Sequence, residues 1–206
     1  MNSALKHGTS VKRIVLTSSL AAVREVHPDP HTYDETNWNN QAVEAVETKG
    51  SGAGPIMIYL ASKTLAERAA WDFVAAHKAD LKWDLVVLNP PWVFGVRHGL
   101  IFSSALDGCL CFLSHRHRSN AQPSLTPAPT IADINTSQRD VYDTLTGALA
   151  GEKLRGQGNW VHVSVIADAH VRATHAAAAG GERIIVTSGY FFYQGFRKCI
   201  FLFPAE

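Results

Sequence analysis

A chain of 206 residues, 46% hydrophobic and 18% charged, has the make-up of one globular domain, or one and a fraction, with enough apolar material for a real core. A formal net charge of +1 excludes the strongly basic footprint of a nucleic-acid binder, an acidic tail and a polybasic membrane anchor. No apolar run approaches the roughly 20 residues of a membrane span, residues 1–10 lack the regions of a signal peptide, and three cysteines are too few for a disulfide framework, so a reduced, cytoplasmic setting is expected.

Residues 11–16 (VKRIVL) are a β-branched apolar run closed by Thr17, Ser18 and Ser19, the pattern of a buried strand whose carboxyl end opens at Thr17. Residues 24–54 read mostly as loop, broken by Pro28, Pro30 and the glycine-rich stretch 50–54, with a short helix over 40–48. From Ile58 to about His77 the apolar positions Leu60, Leu65, Ala69, Phe73 and Ala76 recur at steps of three to five, which predicts a long helix. Residues 83–88 (WDLVVL) read as a second buried strand, stopped by Asn89-Pro90-Pro91. Strand, helix, strand is the repeating unit of a parallel sheet with crossover helices.

Residues 101–133 show no sustained period and read as a loop or disordered insertion. Order resumes with a helix over 137–150, a strand over 160–163, a helix over about 166–178 and a strand over 183–187. The stretch 190–206 is aromatic and oddly apolar for a chain end, and there is no internal repeat.

The sharpest local signal is Tyr59-Leu60-Ala61-Ser62-Lys63 at the start of the long helix. Residues four apart share a helix face, so the Lys63 ammonium can lie beside the Tyr59 phenol. A neighbouring cation favours the ionised form of a phenol, which suits a proton donor or acceptor in carbonyl reduction or alcohol oxidation. Alone the spacing is weak, because chance supplies it often. Ser18 and Ser19 strengthen it, since they sit just past a buried strand at the sheet edge where open α/β folds bind ligands. Seen in isolation, they read first as a helix cap or strand-end turn. Asn89 to Gly95 leaves the next strand at the same edge, and a rigid turn is its plain reading.

Together these segments resemble the extended branch of the short-chain dehydrogenase/reductase family, nearest to fungal aldehyde and ketone reductases and to dihydroflavonol-reductase-like proteins. The matching stretches are VKRIVLTSSLAAV, YLASKTLAERAAWDF, WDLVVLNPPWVFG, INTSQRDVYDTLTG and WVHVSVIADAHVRATHA with GGERIIVTSG, in family order. The resemblance implies an α/β fold: part of a Rossmann-type doubly wound parallel sheet lacking its first strands, with the remnant of a small C-terminal substrate lobe. It implies NADPH as hydride donor, with NAD the other nicotinamide cofactor left open, and an aldehyde or ketone as substrate. Ser19 would orient the carbonyl, Tyr59 would act as general acid, and Lys63 would assist Tyr59 and bind the nicotinamide ribose. Pro90, Pro91 and Val93 would contact the nicotinamide.

Departures from the family pattern are equally legible. The family opens with a strand and a Gly-x-x-Gly-x-x-Gly turn that seats the cofactor pyrophosphate at a helix N-terminus. This sequence has no such turn, and its first strand matches the family's fifth. Ser164 and Val165 stand where a basic and an acidic residue are usual, residues 101–133 have no counterpart, and the pattern stops after about Gln194. The expected division is therefore 1–100 as the catalytic half of a dinucleotide-binding domain, 101–133 as insertion, and 134–206 as remaining elements with a truncated lobe. A bare apolar edge at residues 11–16 and the aromatic stretch around Phe191 and Phe192 predict self-association. A reading from another class is a non-catalytic paralogue that at most associates with other proteins.

Other constellations take plain readings. Cys109, Cys111, His115 and His117 are spaced too closely for a zinc site, so no metal is expected. His162 and His170 are taken as packed or surface histidines, and the cluster around Arg116 and Arg118 as a solvated face.

Overall fold

β-Branched and leucine-rich runs bounded by polar or proline residues become the strands of a parallel sheet whose central strand is buried. The computed structural model describes residues 1–27, 29–95 and 151–195, together with 139, 142–144 and 146. The chain divides into two compact units, Met1–Pro91 with Ile166–Thr187 and Trp92–Val165 with Ser188–Glu206.

In the first unit, helix α1 (Asn2–His7) leads into strand β1 (Arg13–Thr17), and helices α2 (Asn40–Lys49) and α3 (Pro55–Ala76) lead to strand β2 (Asp84–Asn89). The sheet is completed by strands β1, β2 and β5 (Arg183–Ile185) in that order, all parallel, where β5 is the fifth described strand of the chain. The register pairs Arg13 with Asp84 and Thr17 with Leu88 on one side of β2, and Val87 with Arg183 on the other. Residues Leu85 to Asn89 are all buried, as a central strand requires. One core joins Leu85, Val87, Trp83 and Ala70 with partly buried Ile14, Leu16 and Phe73. A second seats Ala42 and Val43 of α2 on Ala61 of α3. Asn39 caps α2 by accepting from the Ala42 amide at 2.9 Å. Gly54, at φ +86°, makes the turn that lets Pro55 open α3, an arrangement only glycine takes without strain.

The buried face of α3 differs from the one its apolar spacing suggests. Leu65 is exposed, as are Ala69 and Ala76, whereas Ala61, Thr64, Glu67 and Ala70 are buried. Three of these four are small, which lets the helix approach its neighbours closely, and the fourth is a carboxylate.

In the second unit, strands β3 (Trp92–Phe94), β4 (Gln157–His162) and β6 (Gly189–Phe192) form a small mixed sheet. β3 pairs parallel with β4, and β4 antiparallel with β6. Phe191 packs edge-on against Trp92, Phe94 and Tyr193 at centroid distances of 6.2, 5.5 and 5.4 Å. It also lies over its cross-strand partner Gly158, where a Cβ would come within 2.8 Å of the ring. Phe192 is exposed. Helix α4 (Val163–His175) starts at the end of β4, and its Ile166–His175 portion belongs to the first unit. The expected strands and helices near 11–16, 40–48, 58–77, 83–88, 160–163, 166–178 and 183–187 are all present with shifted ends, whereas β3 and β6 were not foreseen. Residues 101–133 and most of 137–150 lie outside the described residues. No helix among the described residues is long and apolar enough to cross a membrane.

Candidate active site

The carboxyl ends of β1 and β2 do not separate at once. The Ser18 amide donates to the Leu88 carbonyl at 2.8 Å, and the Leu20 amide to that of Pro90 at 2.9 Å. The Asn89 side chain adds a bond from Nδ2 to the Ser19 carbonyl at 3.1 Å. Ser19 and Pro90 are thereby held at one sheet edge, where parallel α/β folds bind ligands.

Ser19 begins a short 3₁₀ turn, Leu20–Ala22, that packs against α3. Its Oγ accepts from the Ala21 amide at 3.1 Å, the geometry of an N-cap. Accepting uses a lone pair and leaves the hydroxyl proton free to donate elsewhere. From the other side, Asn39 Nδ2 donates to the carbonyls of Ala21 and Arg24 at 3.0 and 2.8 Å. Its own amide donates to Ala22 at 2.9 Å. The turn is fixed from both flanks.

Tyr59 and Lys63 lie one turn apart near the start of α3. Tyr59 is 51% exposed and Lys63 half-buried. Neither the phenol nor the ammonium has a hydrogen-bond or ion-pair partner among the described residues. Ser62, between them, turns its hydroxyl back to the Tyr59 carbonyl at 2.7 Å.

Glu67, one turn beyond Lys63, escaped the reading of the sequence. Its side chain has no exposed surface. It accepts from the Ser18 hydroxyl, from Asn89 Nδ2 at 2.7 Å and from Arg183 Nε at 2.6 Å. Arg183, at the head of β5, stacks 3.7 Å over the Trp38 ring and donates from Nη1 to the carbonyls of Glu35 and Asn37 at 2.6 and 2.8 Å. The available signal was positional: Glu67 falls on the three-residue rhythm of small buried side chains, and Arg183 opens an otherwise apolar strand.

Pro90 is buried and Pro91 half-buried at the end of β2. Val93 lies on β3 in the second unit and is exposed. His170 joins α4 to β1. Its Nδ1 lies 2.7 Å from the Ile166 carbonyl and its Nε2 2.6 Å from Thr17 Oγ. A carbonyl only accepts, so Nδ1 carries a proton in this arrangement, and in the neutral ring Nε2 accepts from the Thr17 hydroxyl. Cys109, Cys111, His115, His117, Arg116 and Arg118 lie outside the described residues.

No family model matches the chain. Over 187 residues it is 30% identical to ketoreductase azaE of Aspergillus niger, a match covering 90% of this chain and 45% of that one. It is 27% identical over 189 residues to the NADPH-dependent methylglyoxal reductase Gre2 of Saccharomyces cerevisiae, covering 90% and 46%. Among solved structures, Gre2 of Candida albicans in complex with NADPH superposes with a TM-score of 0.67 at 25% identity, covering 94% of this chain and 48% of that one. The chain is homologous to these reductases and has the fold of the extended short-chain dehydrogenases/reductases. It spans about half the length of the curated relatives it matches.

The residues present fit the nicotinamide-ribose end of such a cofactor. An unengaged phenol and ammonium stand one turn apart on α3, and a capped serine with a free proton stands at the sheet edge.

Proposed function

We propose that this chain carries the catalytic half of an NADPH-dependent carbonyl reductase that converts an aldehyde or ketone to an alcohol. The observation that supports the reading best is that Tyr59 and Lys63, one turn apart on α3, have no partner among the described residues, while the turn carrying Ser19 packs against the same helix with the serine hydroxyl oriented by the Ala21 amide. When bound, NADPH supplies a hydride to the carbonyl carbon. Ser19 donates its free proton as a hydrogen bond to the substrate oxygen, fixing the carbonyl and stabilising the charge that grows there. Tyr59 passes its phenolic proton to that oxygen, and Lys63 holds the cofactor ribose and stabilises the tyrosinate left behind. Pro90 and Pro91, on the segment that leaves β2, would contact the nicotinamide.

The reading places the protein in the cytoplasm, with a small carbonyl compound as its partner. It also assigns self-association to β1, whose second edge has no strand beside it among the described residues. The test is oxidation of NADPH, followed by loss of its absorbance, by the chain with methylglyoxal and with a panel of simple ketones. Tyr59→Phe keeps the ring and removes the transferable proton, so turnover is expected to fall at least about a hundredfold. Turnover that survives this change would exclude the mechanism.

A further inference from the structure

We infer that Glu67 is a positioning residue for Ser19, seating the serine turn on the same helix that presents Tyr59 and Lys63. The inference rests on the reading of those three residues as the catalytic group. Glu67 reaches the turn by two routes. The direct one is short: its carboxylate accepts from the Ser18 hydroxyl, next to Ser19, and from Asn89 Nδ2. Asn89 in turn donates to the Ser19 carbonyl. The second route runs through Arg183, which Glu67 holds by an ion pair. Arg183 fixes the Glu35 and Asn37 carbonyls and stacks on Trp38. The next residue, Asn39, grips the turn through Ala21, Ala22 and Arg24.

Packing alone does not call for this residue. A fully buried carboxylate is costly unless paired, and an apolar side chain of similar volume generally serves a core as well or better. What a leucine lacks is directed acceptors. Here they bind groups on three separate segments, the end of β1, the end of β2 and the head of β5, and draw all of them onto α3. A helix that carries a general acid but slides against the serine turn would misalign the two proton donors, and small misplacements cost rate.

Hydrogen exchange on the whole chain tests this without depending on turnover. The variants are Ser18→Ala, which removes one tie and leaves no buried charge unpaired, and Glu67→Gln, which keeps the shape. In Ser18→Ala the Ala21, Ala22 and Val23 amides are expected to exchange about tenfold faster than in the parent, the loss of roughly one charge-assisted bond, while the amides of α2 keep their rates; Glu67→Gln, which also takes the counter-ion from Arg183, should accelerate the turn amides more than those of α2. Unchanged exchange at the turn overturns the inference. So does acceleration spread evenly over α2, β2 and the turn, because that marks a contribution to overall stability only. Carbonyl reduction measured alongside should show kcat falling with KM little altered. A parent chain that is inactive, or whose activity survives Tyr59→Phe, overturns the catalytic reading and with it the role assigned to Glu67, while the exchange rates still report whether Glu67 holds the turn.

Discussion

Breaking the buried pair from the Arg183 side has a cost that follows from the geometry. Glu67 has no exposed side-chain surface and Arg183 is only 10% exposed, so Arg183→Met leaves a carboxylate in the core with Ser18 and Asn89 as its remaining partners. Removing one member of such a pair typically costs about 3–5 kcal/mol. Lost bonds to the Glu35 and Asn37 carbonyls and lost stacking on Trp38 add to this, by about 1 kcal/mol each. One term opposes them: Arg183 Nη2 is buried without a partner, and its removal returns roughly 1–2 kcal/mol. The net expectation is a loss of about 5–6 kcal/mol for Arg183→Met. The double variant Glu67→Gln, Arg183→Met no longer buries an unpaired charge and should lose about 2 kcal/mol less than the two single changes added together. Urea unfolding followed by tryptophan fluorescence measures both, with midpoints compared at constant m. A cost below about 1 kcal/mol for Arg183→Met, or single effects that add within about 0.5 kcal/mol, would refute the view that these charges depend on each other.

Two further outcomes concern the latch at the opposite end of the sheet. Arg13 forks onto Asp84, Nε to Oδ1 at 2.6 Å and Nη2 to Oδ2 at 2.7 Å, and these bonds hold the Asp84 carboxyl below its ordinary value. A depressed folded-state value stabilises the fold above the unfolded value, about 3.9, and the gain is lost as pH falls through the folded value. The parent's urea midpoint should therefore drop more steeply than that of Asp84→Asn below about pH 4. The difference should be small because Asp84 is 41% exposed; parallel profiles would remove the latch from the account. Gly180 passes so close that a Cβ would lie 2.2 Å from Asp84 Oδ2 and 2.8 Å from Arg13 Nη2, although its φ of −63° suits any residue. Gly180→Ala should cost about 1–3 kcal/mol by displacing the fork and should flatten the same acid profile, and a neutral effect would show that the latch yields freely.

Strands β1 and β2 were legible because each is built on an apolar run whose length and polar bounds suit a strand. Residues 14–16 and 85–88 are continuous apolar runs, and 85–88 are buried as a central strand should be. β3 was read as a turn because Asn89-Pro90-Pro91 does mark the end of β2. The three residues of β3 take their pairing from Trp160–His162, some seventy positions on, and no local signal encodes that. β6 was hidden differently. Gly189 and the aromatics that follow read as an orphaned tail until Phe191 is placed over Gly158, where the missing side chain of one strand makes room for the ring of the other. The face of α3 was misjudged because apolar periodicity weights large residues, whereas this helix buries small ones and a carboxylate.

The same asymmetry runs through the candidate site. A capping serine and a substrate-orienting serine look like competing readings when only the sequence Thr17-Ser18-Ser19 is in view. They use different parts of one hydroxyl: the cap takes a lone pair from Oγ, and orientation of a carbonyl needs the proton. The cap therefore serves the second role, since a hydroxyl fixed by the Ala21 amide has fewer directions in which to donate. On α3 the division is between faces. Tyr59 and Lys63 stand without partners among the described residues, while Glu67 is buried with three. Unpartnered polar groups on a rigid helix are available to a ligand, and the inward carboxylate keeps that helix in register with the sheet edge that carries Ser19. On the proposed reading, a single helix both presents the reactive groups and fixes the frame against which they are measured.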